Sequence, residues 1–418
     1  MATSALIAHH QAVQKGLVQA RRSTDAVLAL VPSGRWLDRP VPERHRLIFY
    51  AGHVEAFDWN LIAPALGLSS LHANFDRLFA FGIDPQNGQL PDDAPSDWPS
   101  MREITAYKIA VRRQIDSVTD RLSPLLLHIA IEHRLMHAET FTYLLHNLSA
   151  PLSSPFSSIG TPSSPVSAVN PDDMIVTIPS GIATLGRQRP SQEESDGLGW
   201  DNEFDAHTVV VPSFGINRYK VTNARYLRFV EDGATPPHFW RRRRGSWYWR
   251  TLTGEIPLPP DWPVYVTHEE ATAFARWSGG ILPTEAQFHR AAYGTPTGEE
   301  RAYPWGDNPP TPSHGNFCKR ASGNPVGVSS TPAGDSAFGA AQMVGNGWEW
   351  TSTPFAPFPG FRPYACYPGY SAPFFGGDHF VLKGASPVTA ACFLRRSFRN
   401  WFRSNNRYVY ASFRCVDP

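Results

Sequence analysis

The stretch that most constrains the fold of this chain is residues 125–145, which read LLLHIAIEHRLMHAETFTYLL. Its apolar residues recur every three or four positions and no Gly or Pro interrupts them, so it predicts a single helix. Within it, His133 and His137 lie about one helical turn apart and leave the same face. Two neutral imidazoles at this spacing make half of a metal site, but paired histidines on an amphipathic helix are equally often ordinary polar residues.

The N-terminal part of the chain contains three further segments with helical periodicity, at residues 3–31, 42–66 and 100–122. The last of them begins with a capping box, in which Ser100 is followed three residues later by Glu103. Four helices of this length predict a four-helix bundle over residues 1–146.

A third candidate ligand comes from the second predicted helix. His53 lies there among apolar neighbours, which is typical either of a satisfied core histidine or of a metal ligand. Metal sites are often built from facing helices of a bundle core. With three candidate ligands available, we interpret His53, His133 and His137 as a metal site.

The second half of the chain has a different character. Residues 147–171 are rich in Ser and Pro without periodicity and predict a linker. Residues 172–418 carry much of the load of 39 Pro, 32 Gly and 13 Trp, which favours short strands and turns. Strands are predicted at 174–179 and 208–214, and helices at 222–231, 269–278 and 283–292. The fold class predicted for the whole chain is α+β.

Charge and composition argue against several kinds of partner. A net charge of +1 provides no general attraction for nucleic acid, so the basic run at 241–244 is interpreted as a solvated turn. There is no stretch of 18 apolar residues and no secretory signal pattern, so we expect a soluble, cytoplasmic protein without a membrane partner. The cysteines show no CxxC spacing, which indicates reduced thiols; they are Cys318, Cys366, Cys392 and Cys415.

Several sequence motifs in the second half of the chain resemble the formylglycine-generating-enzyme-like family, which has a C-type-lectin-like fold. They occur in the order expected for that family and read INRYKVTNARYLRFVEDG, GGILPTEAQFHRAAYG, YPWGD and SAFGAAQMVGNGWEWTSTPF. A bundle of the DinB type with three histidines, joined to such a domain, is similar to the ergothioneine-pathway sulfoxide synthases of the EgtB type. This resemblance covers nearly the whole chain.

The resemblance implies an O2-dependent enzyme with one Fe(II) held by the three histidines at positions 53, 133 and 137. Members of the family join a sulfur nucleophile to the imidazole C2 of hercynine. Asn400 and Trp401 match the family's Asn-Trp pair, and a Trp face can hold the trimethylammonium group of hercynine. A catalytic tyrosine is expected in the phrase PYACYPGYS, which offers Tyr364, Tyr367 and Tyr370; Tyr367 aligns best.

The departures from the family concern residues that are expected to bind the thiol donor. Phe402 stands where the family has Asp, and Asn406 lies in a loop where the family has Arg. Met136 replaces a polar residue before the last histidine, and the loop after Gly82 is acidic where relatives often supply Arg. A donor with carboxylates would lose its ion-pair partners here. The pattern therefore favours a selenosugar donor, as in the selenoneine synthases of the SenA type, over cysteine or γ-glutamylcysteine.

Other functions are compatible with parts of the sequence. Formylglycine generation requires two reactive cysteines close together, and Cys392 and Cys415 give no sign of such a pair. A lectin-like domain can also act only as a binding module, without catalysis. A DinB-type thiol transferase would use zinc and no O2. Metal content would distinguish the binding module from the enzymes.

Overall fold

The computed structural model describes residues 2–80, 92–152, 174–189, 198–319 and 323–418, with side chains from residue 14 onwards. The chain divides into two compact units. The helical unit comprises Met1–Leu152, Pro190–Leu198 and Ala365–Tyr367; the sheet unit comprises Ser153–Arg189, Gly199–Tyr364 and Pro368–Pro418. Residues 81–91, which form the first part of the acidic loop after Gly82, and most of the Ser/Pro-rich segment at 147–171 lie outside the described residues. Asp93, in the described part of that loop, pairs with Arg39 and Arg46.

The helical unit contains five described helices, which are α1 (Ala2–Leu28), α2 (Leu47–Ala65), α3 (Ala73–Leu78), α4 (Met101–Val118) and α5 (Pro124–His146). Helix α1 packs on α5, while α2 packs on α3, α4 and α5. The six-residue helix α3 was not predicted, because it is too short to show a period. Assignment of this arrangement to the DinB type stays a prediction.

Local sequence explains where the helices of this unit begin. The predicted capping box is present, since the Ser100 hydroxyl accepts from the backbone N–H of Glu103 and the Glu103 carboxylate accepts from that of Ser100. Helix α5 starts at Pro124 after Ser123, whose hydroxyl accepts from the N–H of Leu126. Both α2 and α5 are buried around most of their circumference, which explains their high apolar content.

The sheet unit consists of small sheets and three short helices. The strands are β1 (Ile175–Ile178), β2 (Gly181–Leu185), β3 (His207–Val211), β4 (Phe214–Asn217), β5 (Trp240–Arg243), β6 (Ser246–Thr251), β7 (Gly254–Pro257), β8 (Gly347–Pro354), β9 (His379–Ala385), β10 (Asn400–Arg403) and β11 (Ala411–Ser412). The helices are α6 (Asn223–Glu231), α7 (His268–Trp277) and α8 (Glu285–Tyr293). This arrangement confirms the predicted α+β class with the helices N-terminal.

The largest sheet of this unit has the order β10-β9-β8-β11, with β11 parallel to β8 and the other pairs antiparallel. The remaining pairings are β1 with β4, β2 with β3, and β6 with both β5 and β7. Helix α8 packs on β2, β3, β8 and β9, and a buried apolar cluster surrounds Phe288 in that helix. The unit therefore has a core between α8 and its strands.

The single strand predicted at 208–214 was wrong. The structure has two strands here, with β3 paired to β2 and β4 paired to β1. Pro212 and Ser213 lie between them, and Pro has no N–H to donate to a ladder. The chain therefore changes from one sheet to another at this point.

Two expectations about the surroundings of the chain can be compared with the structure. All four cysteines are free thiols. None of the helices in the described ranges combines the length and the apolar character needed to cross a membrane.

Candidate metal centre

The three candidate histidines converge inside the helical unit. His53 comes from α2, while His133 and His137 come from successive turns of α5. The Nε2 atom of His137 lies 3.2 Å from that of His53 and 3.1 Å from that of His133. All three side chains are buried, with 2–3% of their surface exposed. Their ligand atoms lie within 4.8 Å of one another, as a metal site requires.

A backbone contact determines which nitrogen of His53 carries the proton. The Nδ1 atom lies 2.7 Å from the carbonyl oxygen of Phe79, which can only accept a hydrogen bond. The Nδ1–H group therefore donates to this carbonyl, and the lone pair lies on Nε2, which faces the other two histidines. This is the tautomer that a metal ligand needs.

Burial keeps the three imidazoles uncharged. It lowers the pKa of His53 to about 4, against a smaller opposing effect of the hydrogen bond to Phe79. Burial likewise places the pKa values of His133 and His137 well below the usual value, and the neighbouring histidines lower them further. Neutral imidazole is the form that binds a metal ion.

The donor set fits a bound cation. At metal–nitrogen distances of about 2.1 Å, two imidazoles that subtend about 95–100° at the metal are separated by roughly 3.1–3.2 Å. The Nε2 atoms of His53 and His133 lie at these distances from that of His137, as a single bound cation would require. The three nitrogens suit Fe, Zn, Cu or Ni, so the donor set alone does not choose among these metals.

Aromatic rings cover the histidines. Phe57 stacks on His133 with 3.3 Å between ring centroids and 9° between planes, and Phe49 stacks on His53 at 4.8 Å. Tyr367, which belongs to the helical unit, lies 5.0 Å from the Phe57 ring and 6.3 Å from the His133 ring. These rings hold the imidazoles in place and limit the access of water to them.

Next to the histidines in sequence lies a buried network of charges. Arg134 is fully buried and donates to Glu55 at 2.7 Å and to Asp58 at 2.7 Å. Arg112 on α4 donates to the same Glu55 at 2.6 Å and to Asp25 on α1 at 2.7 Å. The network therefore ties α1, α2, α4 and α5 together beside the candidate metal site. No sequence pattern predicted this network, although Glu55 and Arg134 each lie within two residues of a predicted ligand.

The other tyrosines of the phrase PYACYPGYS have contacts within the sheet unit. The Tyr364 hydroxyl donates to the carbonyl of Gly199 at 2.5 Å. Tyr370 stacks on Trp200 with 3.8 Å between ring centroids. Both contacts are typical of structural roles, whereas Tyr367 is close to a metal-ligand candidate. The catalytic roles predicted for Tyr367 and Tyr364 stay predictions.

The predicted hercynine-binding pair lies on β10 in the sheet unit. Trp401 is half-buried and stacks on Phe355 at 4.2 Å with 5° between planes. Tyr370 and Phe374 lie 5.3 and 5.6 Å from the same indole. The side chain of Asn400 accepts from the backbone N–H of Trp401. Trp401 is thus part of an aromatic cluster, and one of its faces is occupied by Phe355.

The residues predicted to select the donor lie on β10, just after β10, and on α5. Phe402 pairs with Phe380 across β10 and β9 and is half-buried. Asn406 accepts from the backbone N–H of Tyr408, which is a turn-forming contact. Met136 is half-buried on α5. Their role in donor binding stays a prediction.

Residues 162–418 match the model of the sulfatase-modifying factor enzyme 1-like domain, which is more than half of the chain. The chain therefore belongs to the sulfatase-modifying factor enzyme 1-like family. This confirms the predicted resemblance of the second half to formylglycine-generating-enzyme-like domains.

Individual curated relatives show which members of the family this chain is similar to. The hercynine oxygenase of Mycolicibacterium smegmatis is 37% identical over 310 residues, covering 68% of this chain and 70% of that protein. The hercynine oxygenase of Mycobacterium tuberculosis is 41% identical over 237 residues, covering 51% of this chain and 55% of that protein. Ergothioneine biosynthesis protein 1 of Schizosaccharomyces pombe is 26% identical over 418 residues, covering 90% of this chain and 52% of that protein.

These matches support the EgtB-type relationship predicted from the sequence. The chain spans little more than half the length of the relatives from M. tuberculosis and S. pombe. The selenoneine branch stays a prediction.

Proposed function

We propose that this protein is an O2-dependent, non-haem iron(II) enzyme that joins a chalcogen donor to the imidazole C2 of hercynine. The observation that carries the proposal is the convergence of three buried, neutral histidines on one point. The names of the relatives, hercynine oxygenase and ergothioneine biosynthesis protein, support hercynine as the substrate.

The three histidines would hold the iron and leave further positions open, and bound iron would supply the activation of O2. Phe57 and Phe49 pack on the ligand rings, so they keep the imidazoles in place and exclude water. Tyr367 is the proposed proton donor, since its ring is 6.3 Å from that of His133. We propose that Trp401 holds the trimethylammonium group by cation–π attraction.

For the donor, we propose a selenosugar. Phe402 offers no charge to a donor carboxylate, and Asn406 provides an amide where an ion pair would need Arg. The alternative is a cysteine or γ-glutamylcysteine donor, as expected of an ergothioneine-pathway sulfoxide synthase. This alternative uses the same metal site and the same hercynine.

A competition assay tests the proposal. Iron-loaded enzyme, hercynine and O2 are combined with a selenosugar, cysteine and γ-glutamylcysteine together, and the products are read by mass spectrometry. A hercynine–selenium adduct is the expected product. A sulfoxide of a cysteine adduct would replace the selenium proposal with ergothioneine synthesis, and no adduct with any donor would contradict the enzyme assignment.

The metal is tested separately, because a thiol transferase of the DinB type would use zinc at a three-histidine site. The purified chain is stripped of metal and reloaded with Fe(II) or Zn(II), and each form is assayed with and without O2. Turnover that needs both iron and O2 is expected. Equal turnover of the zinc form without O2 would contradict the proposal.

A further inference from the structure

The hydrogen bond that determines the tautomer of His53 is accepted by a backbone carbonyl at the end of another helix. Phe79 follows directly after α3, and its carbonyl oxygen accepts from His53 Nδ1 at 2.7 Å. Every residue type at position 79 would provide this carbonyl. Whether the carbonyl reaches His53 therefore depends on what holds the end of α3 against α2. Two features of the structure do so.

The first feature is a glycine beside the ligand. A Cβ atom built on Gly52 would lie 2.5–2.6 Å from three atoms of the Phe79 ring, closer than real side chains approach. Gly is unfavourable inside a helix relative to Ala, and Gly52 lies well inside α2. Its lack of a side chain leaves room for the ring of Phe79, the residue whose backbone carbonyl accepts from His53.

The ring of Phe79 cannot move aside easily. It is fully buried and lies within 5.7–6.3 Å of four other aromatic rings, which are Phe49, Phe75, Trp98 and Tyr107. A methyl group at Gly52 would therefore push the ring and its backbone away from α2 together. The hydrogen bond to His53 would lengthen as a result.

The second feature is a buried carboxylate on α3. Asp76 accepts from the hydroxyl of Tyr107 on α4 at 2.6 Å and from that of Ser70 at 2.5 Å. The Asp76 carbonyl also accepts from the side chain of Asn60 on α2 at 2.8 Å. Helix α3 is thereby attached to both α2 and α4, three residues before the carbonyl that contacts His53.

We propose that Gly52 and the Asp76–Tyr107 pair are positioning residues, which hold the Phe79 carbonyl on His53 and so keep the Nε2 lone pair directed at the metal. This inference rests on the proposed metal function. Outer contacts of this kind orient ligand imidazoles and commonly change metal affinity by about 10–100-fold.

The experiment measures binding of Co(II) alone by the full chain, followed through its visible absorption, for wild type, Gly52→Ala and Tyr107→Phe. Gly34→Ala is the matched control, because that glycine is in the same unit and a Cβ there meets no atom within 4 Å. We expect Gly52→Ala to weaken Co(II) binding by about 10–100-fold with an altered spectrum. Tyr107→Phe should weaken it less, and Gly34→Ala should leave it unchanged.

A compensating variant separates positioning from a general loss of structure. Gly52→Ala combined with Phe79→Leu removes the ring atoms that the new methyl group would meet, and it should recover part of the lost affinity. Nitrogen NMR of His53 should show the Nδ1–H tautomer in wild type and a mixture of tautomers in Gly52→Ala.

The outcomes distinguish the two proposals. If wild type takes up no Co(II), the metal function and this inference both fail. If wild type binds Co(II) and Gly52→Ala binds it equally well, only the positioning inference is overturned. Should Gly52→Ala lose its helical circular dichroism, Tyr107→Phe decides, since unchanged Co(II) affinity and spectrum in that variant would overturn the inference.

Discussion

The two units of this protein bury charge in the same way. In the helical unit, fully buried Glu55 accepts from fully buried Arg134. In the sheet unit, fully buried Glu349 accepts from Lys220 at 2.5 Å and from Arg414 at 2.6 Å. In both units the cations hold the pKa of the glutamate below its usual value despite burial. Each network joins distant segments of one unit through buried ion pairs.

The three histidines differ from both networks. Their pKa values are lowered by burial, and no carboxylate is among the groups that shift them. Buried polar groups are usually satisfied by partners, but the Nδ1 atoms of His133 and His137 have none among the described residues. The two charge networks are compensated within the fold, whereas the three imidazoles stay neutral and face one another through their Nε2 atoms.

The largest expected effect follows from removing one ligand. His133→Ala should abolish iron binding and turnover, because two imidazoles rarely hold Fe(II), while the fold is retained. Iron content and product formation are measured, with circular dichroism to check the fold. His72→Asn is the control, since that side chain is exposed and Asn can still accept from the N–H of Phe75. Full activity in His133→Ala would remove the histidines from the mechanism.

Substitutions in the charge networks should lower the stability of the fold, whereas the loss of a histidine should not. Arg134→Met leaves the carboxylates of Glu55 and Asp58 buried with less compensation, and should lower the free energy of unfolding by about 3–5 kcal/mol. Arg414→Met in the sheet unit is the matched variant and should cost a similar amount. Chemical denaturation measures both. A loss below about 1 kcal/mol in either variant would show that its network is not a structural one.

The three histidines of the candidate metal site were predicted from local features of the sequence, and their role as metal ligands stays a prediction. His133 and His137 share a face through the helical period, and His53 was identified by its apolar surroundings. The carbonyl of Phe79 could not be predicted, since a backbone group has no residue type and α3 is too short to show a period. The pairing of Arg134 with Glu55 joins residues 79 positions apart, which no local pattern reveals.

In the sheet unit, too, local patterns predicted the helices but not the pairing of the strands. The N-caps at Thr222, Thr267 and Thr284 are local and place α6, α7 and α8 within two residues of the predicted starts. The division between β3 and β4 depends on which strands they pair with, and Pro212 was the one local sign of it. Motifs that resemble those of the family, more than the periodicity of apolar residues, identified the fold of this unit.

A histidine of the sheet unit is also kept neutral by burial, although it lies outside the candidate metal site. His268 in the sheet unit stacks on Phe380, and burial lowers its pKa to about 4. Because the unfolded chain binds a proton near pH 6.5 and the folded chain does not, stability is complete above pH 6.5 and falls as the pH decreases towards 4. Between pH 7 and pH 5 this residue should contribute a loss of at most roughly 2 kcal/mol.

His268→Gln removes this titration and keeps a donor for the carbonyl of Thr351, which the imidazole contacts at 3.1 Å. Denaturation of the metal-free chain at pH 7 and pH 5 is compared for the variant and wild type. The variant should lose less stability between the two pH values. Equal losses would mean that His268 does not remain neutral in the folded protein.

The smallest expected effect concerns donor choice. Phe402 lies on β10 of the sheet unit, away in sequence from the predicted ligands, so Phe402→Asp should leave iron binding unchanged. A carboxylate at this position should weaken use of an uncharged selenosugar and favour a thiol donor that carries an amino group, changing the ratio of kcat/KM values by about tenfold. Phe402→Leu is the control, because it changes the ring but adds no charge. If Phe402→Asp and Phe402→Leu give the same donor ratio, charge at this position does not select the donor, and the sheet unit must discriminate through other residues.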